Sequence, residues 1–251
     1  MKVSKIREGF FILLFWIGLW WIVSLLYNNF IIPTPLDTLR VLFQLSKTSA
    51  TYITIGLSLL RVLMSLFIGI GLGVLFGMLA GVSRTVRKTL QPFVLLIKST
   101  PVVSFIIILN IYVDRELVPI VCGILLCFPI MYSNINQGYR MVDHKLIHMS
   151  SVYQVPMKRK IFRLYLPSTM PYFFAGILTS IGICWKATIA AEVLAFLPKS
   201  IGYEIFSSKN ILEYDFVFAW TVIIVICSLL IEILTKQLIK KLNYYERFKV
   251  I

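Results

Sequence analysis

Three basic residues, Arg61, Lys98 and Lys186, and two acidic ones, Glu192 and Glu232, stand inside long apolar runs of the sequence. A charge at membrane depth costs about 2.5–3.5 kcal/mol on insertion scales, so such residues are kept for pairing or for handling a solute. Lys186 is the deepest, 15 residues past Pro171 and 12 before Pro198. That places it about 18–22 Å from either end of a helix rising 1.5 Å per residue. Arg61 and Lys98 lie close enough to the ends of their runs to snorkel part of the way. Lys186 and Glu192 are separated by about 240° of helical rotation and do not pair on one helix. Each needs a partner on another segment or on a second subunit. Two readings stand open: Lys186 faces a pathway and offers positive charge to an anionic solute, or Lys186, Glu192 and Arg61 form structural pairs that lock helices together.

Enzymatic chemistry has little to work with. Paired catalytic carboxylates, HExxH, GxSxG and the nucleotide-binding GxxxxGK[ST] are all missing from the sequence. His144 and His148 are four apart with no third ligand nearby, so no metal site is expected. Cys122, Cys127, Cys184 and Cys227 lie in apolar runs without CxxC spacing and read as small hydrophobes. No cofactor is expected.

The segments that must hold these residues are set by composition. Of 251 residues, 59% are hydrophobic and 14% charged, with a mean hydropathy of +0.87. A soluble domain carries about 45–50% apolar and roughly 25% charged residues. This chain lacks the polar residues to cover a core in water, which excludes a soluble enzyme, a disordered chain and a nucleic-acid-binding domain. The net charge of +14 is gathered between apolar runs, where it speaks for membrane topology rather than nucleic acid.

A span needs about 20 apolar residues. Runs at 10–27, 52–82, 90–113, 117–135, 171–197 and 216–238 predict six transmembrane helices in a single domain covering 1–251. The first run is too long for a signal peptide and lacks a small-residue cleavage site, so it reads as a retained span. With the N-terminus inside, seventeen of the 25 basic residues fall in cytosolic segments and five outside. The expected arrangement is therefore a multi-pass bacterial plasma-membrane protein with both termini in the cytosol.

Two runs have internal structure. Gly69, Gly73, Gly77 and Gly81 recur every four residues and make one smooth helical stripe, for helix packing or for a moving or subunit interface. Ser99-Thr100-Pro101 lies within the third run. Its proline breaks or kinks the helix there, and such breaks are tolerated beside protein or a cavity. Ser99 and Pro101 are accordingly expected beside a pathway, with Lys186, Glu192 and Arg61.

The longest cytosolic connection, 138–168, is the most informative. Val142, Leu146, Met149 and Val152/Tyr153 share one face at helical spacing. The chain turns at Gln154-Val155-Pro156, a second short helix starts at Pro156, and it is expected to stop before Leu166-Pro167. Basic flanks and an apolar stripe suit docking into another protein, or lying flat on the bilayer surface.

Residues 148–172, HMSSVYQVPMKRKIFRLYLPSTMPY, resemble the coupling-loop signature of ABC importer permeases: Glu-Ala-Ala, three residues, Gly, then about a dozen residues to Leu-Pro. Leu166-Pro167 and Ser150 match it. His148, Met149 and Gln154 stand where the family has Glu, Ala and Gly. IIPTPLDTLRVL (31–42), SLLRVLMSLFIGIGLGVLFGMLAGVSR (58–84) and WKATIAAEVL (185–194) are similar to parts of the nitrate/sulfonate/taurine-type permeases, and the likeness runs over about 31–240.

The resemblance implies an all-α integral membrane fold with a cytosolic coupling-helix loop between spans 4 and 5. It implies that His148, Met149, Ser150, Ser151, Val152, Tyr153, Gln154, Val155 and Pro156 engage a cytosolic ABC ATPase. ATP hydrolysis would occur on that separate subunit. An extracytoplasmic solute-binding protein and a second permease subunit, as a homodimer, would complete the importer. The solute implied is a small anion such as a sulfonate, taurine or nitrate, although related permeases also serve vitamin precursors. At Gln154, a left-handed turn costs about 1–2 kcal/mol more than at glycine; the alternative is a different turn at Val155-Pro156. The competing function is an ion- or proton-coupled secondary transporter, which often carries internal repeats and midplane acidic relays; no convincing repeat is seen, and Glu192 and Glu232 are the only acidic residues within the runs.

Overall fold

A computed structural model describes the backbone of residues 2–27 and 31–241, with side chains from residue 11 onward except 13. Each regular element among them is helical. In chain order they are α1 (Lys2–Leu26), α2 (Pro35–Ser46), α3 (Ser49–Val82), α4 (Arg84–Ser99), α5 (Val102–Tyr112), α6 (Val118–Arg140), α7 (His144–Val152) and α8 (Met157–Lys160). A π-helical stretch (Ile161–Tyr165) then leads into α9 (Leu166–Leu194), followed by α10 (Ile201–Asn210) and α11 (Tyr214–Lys241). The starts are chemically marked. The Thr34 hydroxyl oxygen accepts from the Asp37 N–H at 3.2 Å to open α2, and Pro35 occupies the first turn, where its missing donor costs nothing. Ser83 ends α3 and caps α4 through the Val86 N–H at 3.4 Å.

The core is the trio α3, α6 and α9, with Val62, Leu66, Met131, Ile135, Ile181 and Trp185 buried at its centre. The glycine stripe of α3 lies against α6, whose facing residues Cys127, Met131, Ile135 and Tyr139 also recur every four positions. A Cβ added at Gly69 or Gly77 would come within 2.7 or 2.8 Å of the Cβ of Cys127 or Ile135, and one at Gly73 would meet the Cβ of Met131. Lipid gives no hydrophobic drive between helices, so this closeness is what generates dispersion contact. The stripe is thus a seam inside the chain.

Four described helices are long and apolar enough to cross a membrane: Ser49–Val82, Val118–Arg140, Met157–Leu194 and Tyr214–Lys241. Two of the six expected spans are not seen as single span-length helices among the described residues. The run 90–113 is two helices, α4 and α5, bent by 103° at Ser99–Pro101. Thr100 makes the last bond, to Leu96 O at 3.1 Å. Its extended backbone (ψ 131) is the one a residue before proline prefers, and Pro101 has no N–H to carry the ladder on. In α1, which runs Lys2–Leu26, Leu14–Leu26 is the part of the expected span whose side chains are all described, residue 13 and those before 11 lying outside them. The basic residues Arg247 and Lys249, used to orient the C-terminus, lie outside the described residues.

A third difference concerns the loop. Its second helix does not stop before Leu166-Pro167: Met157–Leu194 is one 38-residue helix. The sequence contains its cause in Pro167, whose ring would collide with the carbonyl four residues back in a regular helix. Here the Leu166 N–H bonds Ile161 O, five residues back, and the widened π turn absorbs the proline.

Candidate functional site

The loop is a short helix hung from a rigid base. Asp143 caps α7, its carboxylate accepting from the Lys145 N–H at 2.8 Å. At the other end Gln154 has φ 47, so this glutamine takes the left-handed conformation itself. Around it the N–H of Val155 bonds Ser150 O at 3.0 Å and the N–H of Gln154 bonds Ser151 O at 3.1 Å. This pair of bonds is the Schellman ending that usually calls for glycine. Ser150 is buried and Val155 half-buried. Leu146, Met149, Val152 and Tyr153 are exposed, forming an uncovered apolar stripe, and His148, Ser151 and Pro156 are exposed beside it. Lys160 Nζ donates to Ser151 Oγ at 3.3 Å and ties α8 back to α7. Beneath, Tyr165 stacks on Tyr139 with ring centroids 4.2 Å apart, and Tyr139 is the side chain that Gly81 of α3 packs against. Displacement of the loop therefore bears directly on the ends of α3 and α6 and on the start of α9.

Because Gln154 carries a Cβ at a position that disfavours one, Gln154→Gly is expected to stabilise the loop by up to about 1 kcal/mol. Hydrogen exchange at residues 153–155 should slow in the glycine variant, and faster exchange would contradict this reading.

Glu192 of α9 and Arg61 of α3 meet at 3.2 Å across the core trio. Glu192 is fully buried. Its second oxygen accepts from Ser58 Oγ at 2.8 Å and from the Gly202 N–H at 3.2 Å. Ser58 in turn accepts from the Ile201 N–H at 3.0 Å, and Ser200 caps α10 through the Tyr203 N–H at 3.1 Å. The N-terminus of α10 thus points its free donors and positive dipole end at the carboxylate. Gly202 must be glycine, since a Cβ would lie 2.5 Å from Val193 N and 2.6 Å from Glu192 Cβ. The sequence marks Glu192 and Arg61 but not their partners. A polar Ser58 one turn before Arg61 and the cap-like Ser200-Ile201-Gly202 after Pro198 were the available signals.

Lys186 is not in this network. Among the described residues it has no ion pair or hydrogen bond, and it is exposed on α9. It lies eight residues before the end of that helix at Leu194, nearer this end than the run lengths predict. The open face around it carries Ala175, Thr179 and Ile183, exposed, and Gly182, Ala190 and Val193, partly so. A Cβ at Gly182 would meet nothing within 4 Å. Ser99 and Pro101 stand at the α4–α5 break. Ser99 is exposed and its hydroxyl donates to Leu96 O at 3.1 Å. The expected pathway residues therefore fall in three places: the Arg61–Glu192 lock, the open face of α9, and the break.

A family model described as the binding-protein-dependent transport system inner membrane component matches residues 69–244. A Bacillus subtilis (strain 168) protein named as an aliphatic sulfonates transport permease is 26% identical over 222 residues, covering 86% of this chain and 80% of its own. The taurine transport system permease protein of Escherichia coli (strain K12) is 23% identical, covering 89% and 84%. The nitrate import permease protein of Synechococcus elongatus is 27% identical, covering 77% and 73%. Among solved structures, a chain from the inward-facing MetNI methionine ABC transporter superposes with a TM-score of 0.63 at 14% identity, covering 76% of this chain and 95% of that one.

Proposed function

This chain belongs to the family of binding-protein-dependent transport system inner membrane components, the permeases of ABC importers, and from that premise we propose that it carries a small anion, a sulfonate, taurine or nitrate, along the open face of α9. It is a multi-pass membrane protein and a transport permease rather than an enzyme. On this reading two copies face each other, an extracytoplasmic binding protein delivers the solute, and both termini lie in the cytosol. Cytosolic ATPase subunits grip the second half of α7 and the turn after it, from His148 to Pro156, and the Tyr139–Tyr165 stack passes the movement to α3, α6 and α9.

The observation that carries the anion reading is Lys186. A lysine inside an apolar helix without a carboxylate partner is costly in lipid, and its face, shared by small residues with Ile183 and Val193, is left uncovered within this chain. A pathway shared with a second subunit gives that charge water and a counter-ion. The test is Lys186→Met in the reconstituted importer with its ATPase and binding protein. Uptake of taurine or nitrate is expected to fall more than tenfold while assembly and ATP hydrolysis persist, with Lys186→Arg partly active. Loss of assembly in the methionine variant, or undiminished uptake, would overturn the pathway role.

A further inference from the structure

A cavity of about 520 Å³ opens between α4 and α6, with no residue of α9 on its wall. Arg87, Lys98 and Arg140 all line it, with no carboxylate on its wall. None of the three forms an ion pair among the described residues. Like charges gathered in a concave site repel one another and focus a positive field, so their convergence needs an anion to balance it. The wall is also built to hydrogen-bond. Lys98 Nζ donates to Ser133 Oγ at 2.7 Å, and the Ser133 hydroxyl donates to Pro129 O at 2.7 Å, which leaves the lysine's other two N–H groups free. Tyr132 is 4% exposed, and its hydroxyl is buried with no hydrogen-bond partner. Asn136 Oδ1 is likewise buried and unpartnered. A buried hydroxyl left without an acceptor is costly. Tyr132 and Asn136 both line the cavity, so an oxygen-rich anion and its hydrating water are the groups that could meet these unmet needs once the wall adjusts to admit them.

We propose that this α4–α6 cavity is an oxyanion-binding site, shaped for a group with several acceptor oxygens such as a sulfonate, sulfate or phosphate. Arg87 and Arg140 clamp the oxygens with their planar forks, Lys98 adds a point charge, and Tyr132 donates from the buried side. The proposal rests on the importer reading for the cytosolic placement of the site, but its chemistry stands on the wall residues alone. Two sources can supply the group: the transported solute, or the phosphate of an anionic lipid drawn to a basic pocket between helices.

The test measures binding of radiolabelled inorganic sulfate to the complete importer in phosphatidylcholine nanodiscs at constant ionic strength, and repeats it in discs containing phosphatidylglycerol. Saturable binding that weakens at least tenfold in Lys98→Met and Arg87→Gln, and measurably in Tyr132→Phe, is expected, with Lys88→Gln as the control that leaves it unchanged. Retained ATP hydrolysis certifies that each variant is folded. Abolition of sulfate binding by phosphatidylglycerol identifies lipid phosphate as the resident group, and persistence identifies the solute; both uphold the site. Sulfate binding absent from both kinds of disc, or indifferent to all three substitutions, overturns it. Uptake of an uncharged solute alongside intact, Lys98-dependent sulfate binding would overturn the anion-import reading and leave the site standing.

Discussion

Glu192→Leu is expected to leave little folded permease in detergent. The substitution keeps roughly the side-chain volume but removes the acceptor for three donors at once: Ser58 Oγ, Arg61 Nη1 and the Gly202 N–H. Removing one partner of a buried pair costs about 3–5 kcal/mol, because the other charge stays behind uncompensated. Here the α10 N-terminus is also left pointing at an apolar side chain. That loss is a large part of an ordinary domain's net stability of about 5–15 kcal/mol. Glu192→Gln keeps an acceptor for Ser58 and Gly202 and should lose less. The double variant Arg61→Met/Glu192→Leu removes both charges and should recover much of the loss, since a well-packed apolar pair replaces an ion pair at little net cost. The measurement is the unfolding midpoint and monodisperse yield of the four proteins. A Glu192→Leu variant as stable as the parent would show that the network contributes nothing. A double variant that folds but does not transport would move Glu192 from a structural role to a functional one.

The residues of this lock show where the sequence is legible. Apolar run lengths mark the long helices, because lipid admits only segments that satisfy their own backbone hydrogen bonds. The depth of Glu192 and Arg61 marks them as needing partners, but which charge answers which is a matter of helix rotation. Lys186 and Glu192 fall on different faces of one helix, and only the packing of α3 against α9 shows that Arg61 faces Glu192 and that Lys186 is left uncovered. At 99–101 the proline predicts a break but not its angle. The 103° bend follows from Thr100 going extended while α5 folds back beside α6 and α9. At 166–167 the proline points to a helix end, because local chemistry allows either a stop or a π turn. Continuity with a long buried helix decides for the turn. The cavity between α4 and α6 is the least legible. Arg87 and Lys98 stand on one helix and Arg140 on another, 42 residues after Lys98; the sequence marks Lys98 as a charge within an apolar run but presents Arg87 and Arg140 as ordinary basic residues near the ends of runs.

The glycine seam predicts the other large effect. Gly73→Val is expected to abolish assembly of the permease, and Gly73→Ala to impair it. The added Cβ meets the Cβ of Met131 and would lie 3.1 Å from Phe128 O and 3.1 Å from Tyr132 N. Two of those three atoms are backbone and cannot rotate aside, so α3 and α6 must separate. Overpacking a closed interface costs about 1–3 kcal/mol and occasionally more. In lipid the separated faces regain nothing from hydrophobic burial. The seam repeats its contact at Gly69, Gly77 and Gly81, so separation at one turn loosens the others. Gly71 and Gly56 lie on the same helix with nothing within 4 Å of an added Cβ. Alanine there should be neutral or slightly stabilising, since it also lowers the entropy of the unfolded chain. Moving the gap to the other helix, as Gly73→Ala/Met131→Gly, removes the Cβ collision and should recover part of the loss. Yield of folded permease and its unfolding midpoint across Gly73→Ala, Gly71→Ala and the double variant provide the comparison. If Gly71→Ala were as damaging as Gly73→Ala, the effect would belong to helix propensity, and the close seam between α3 and α6 would not be what holds the bundle together.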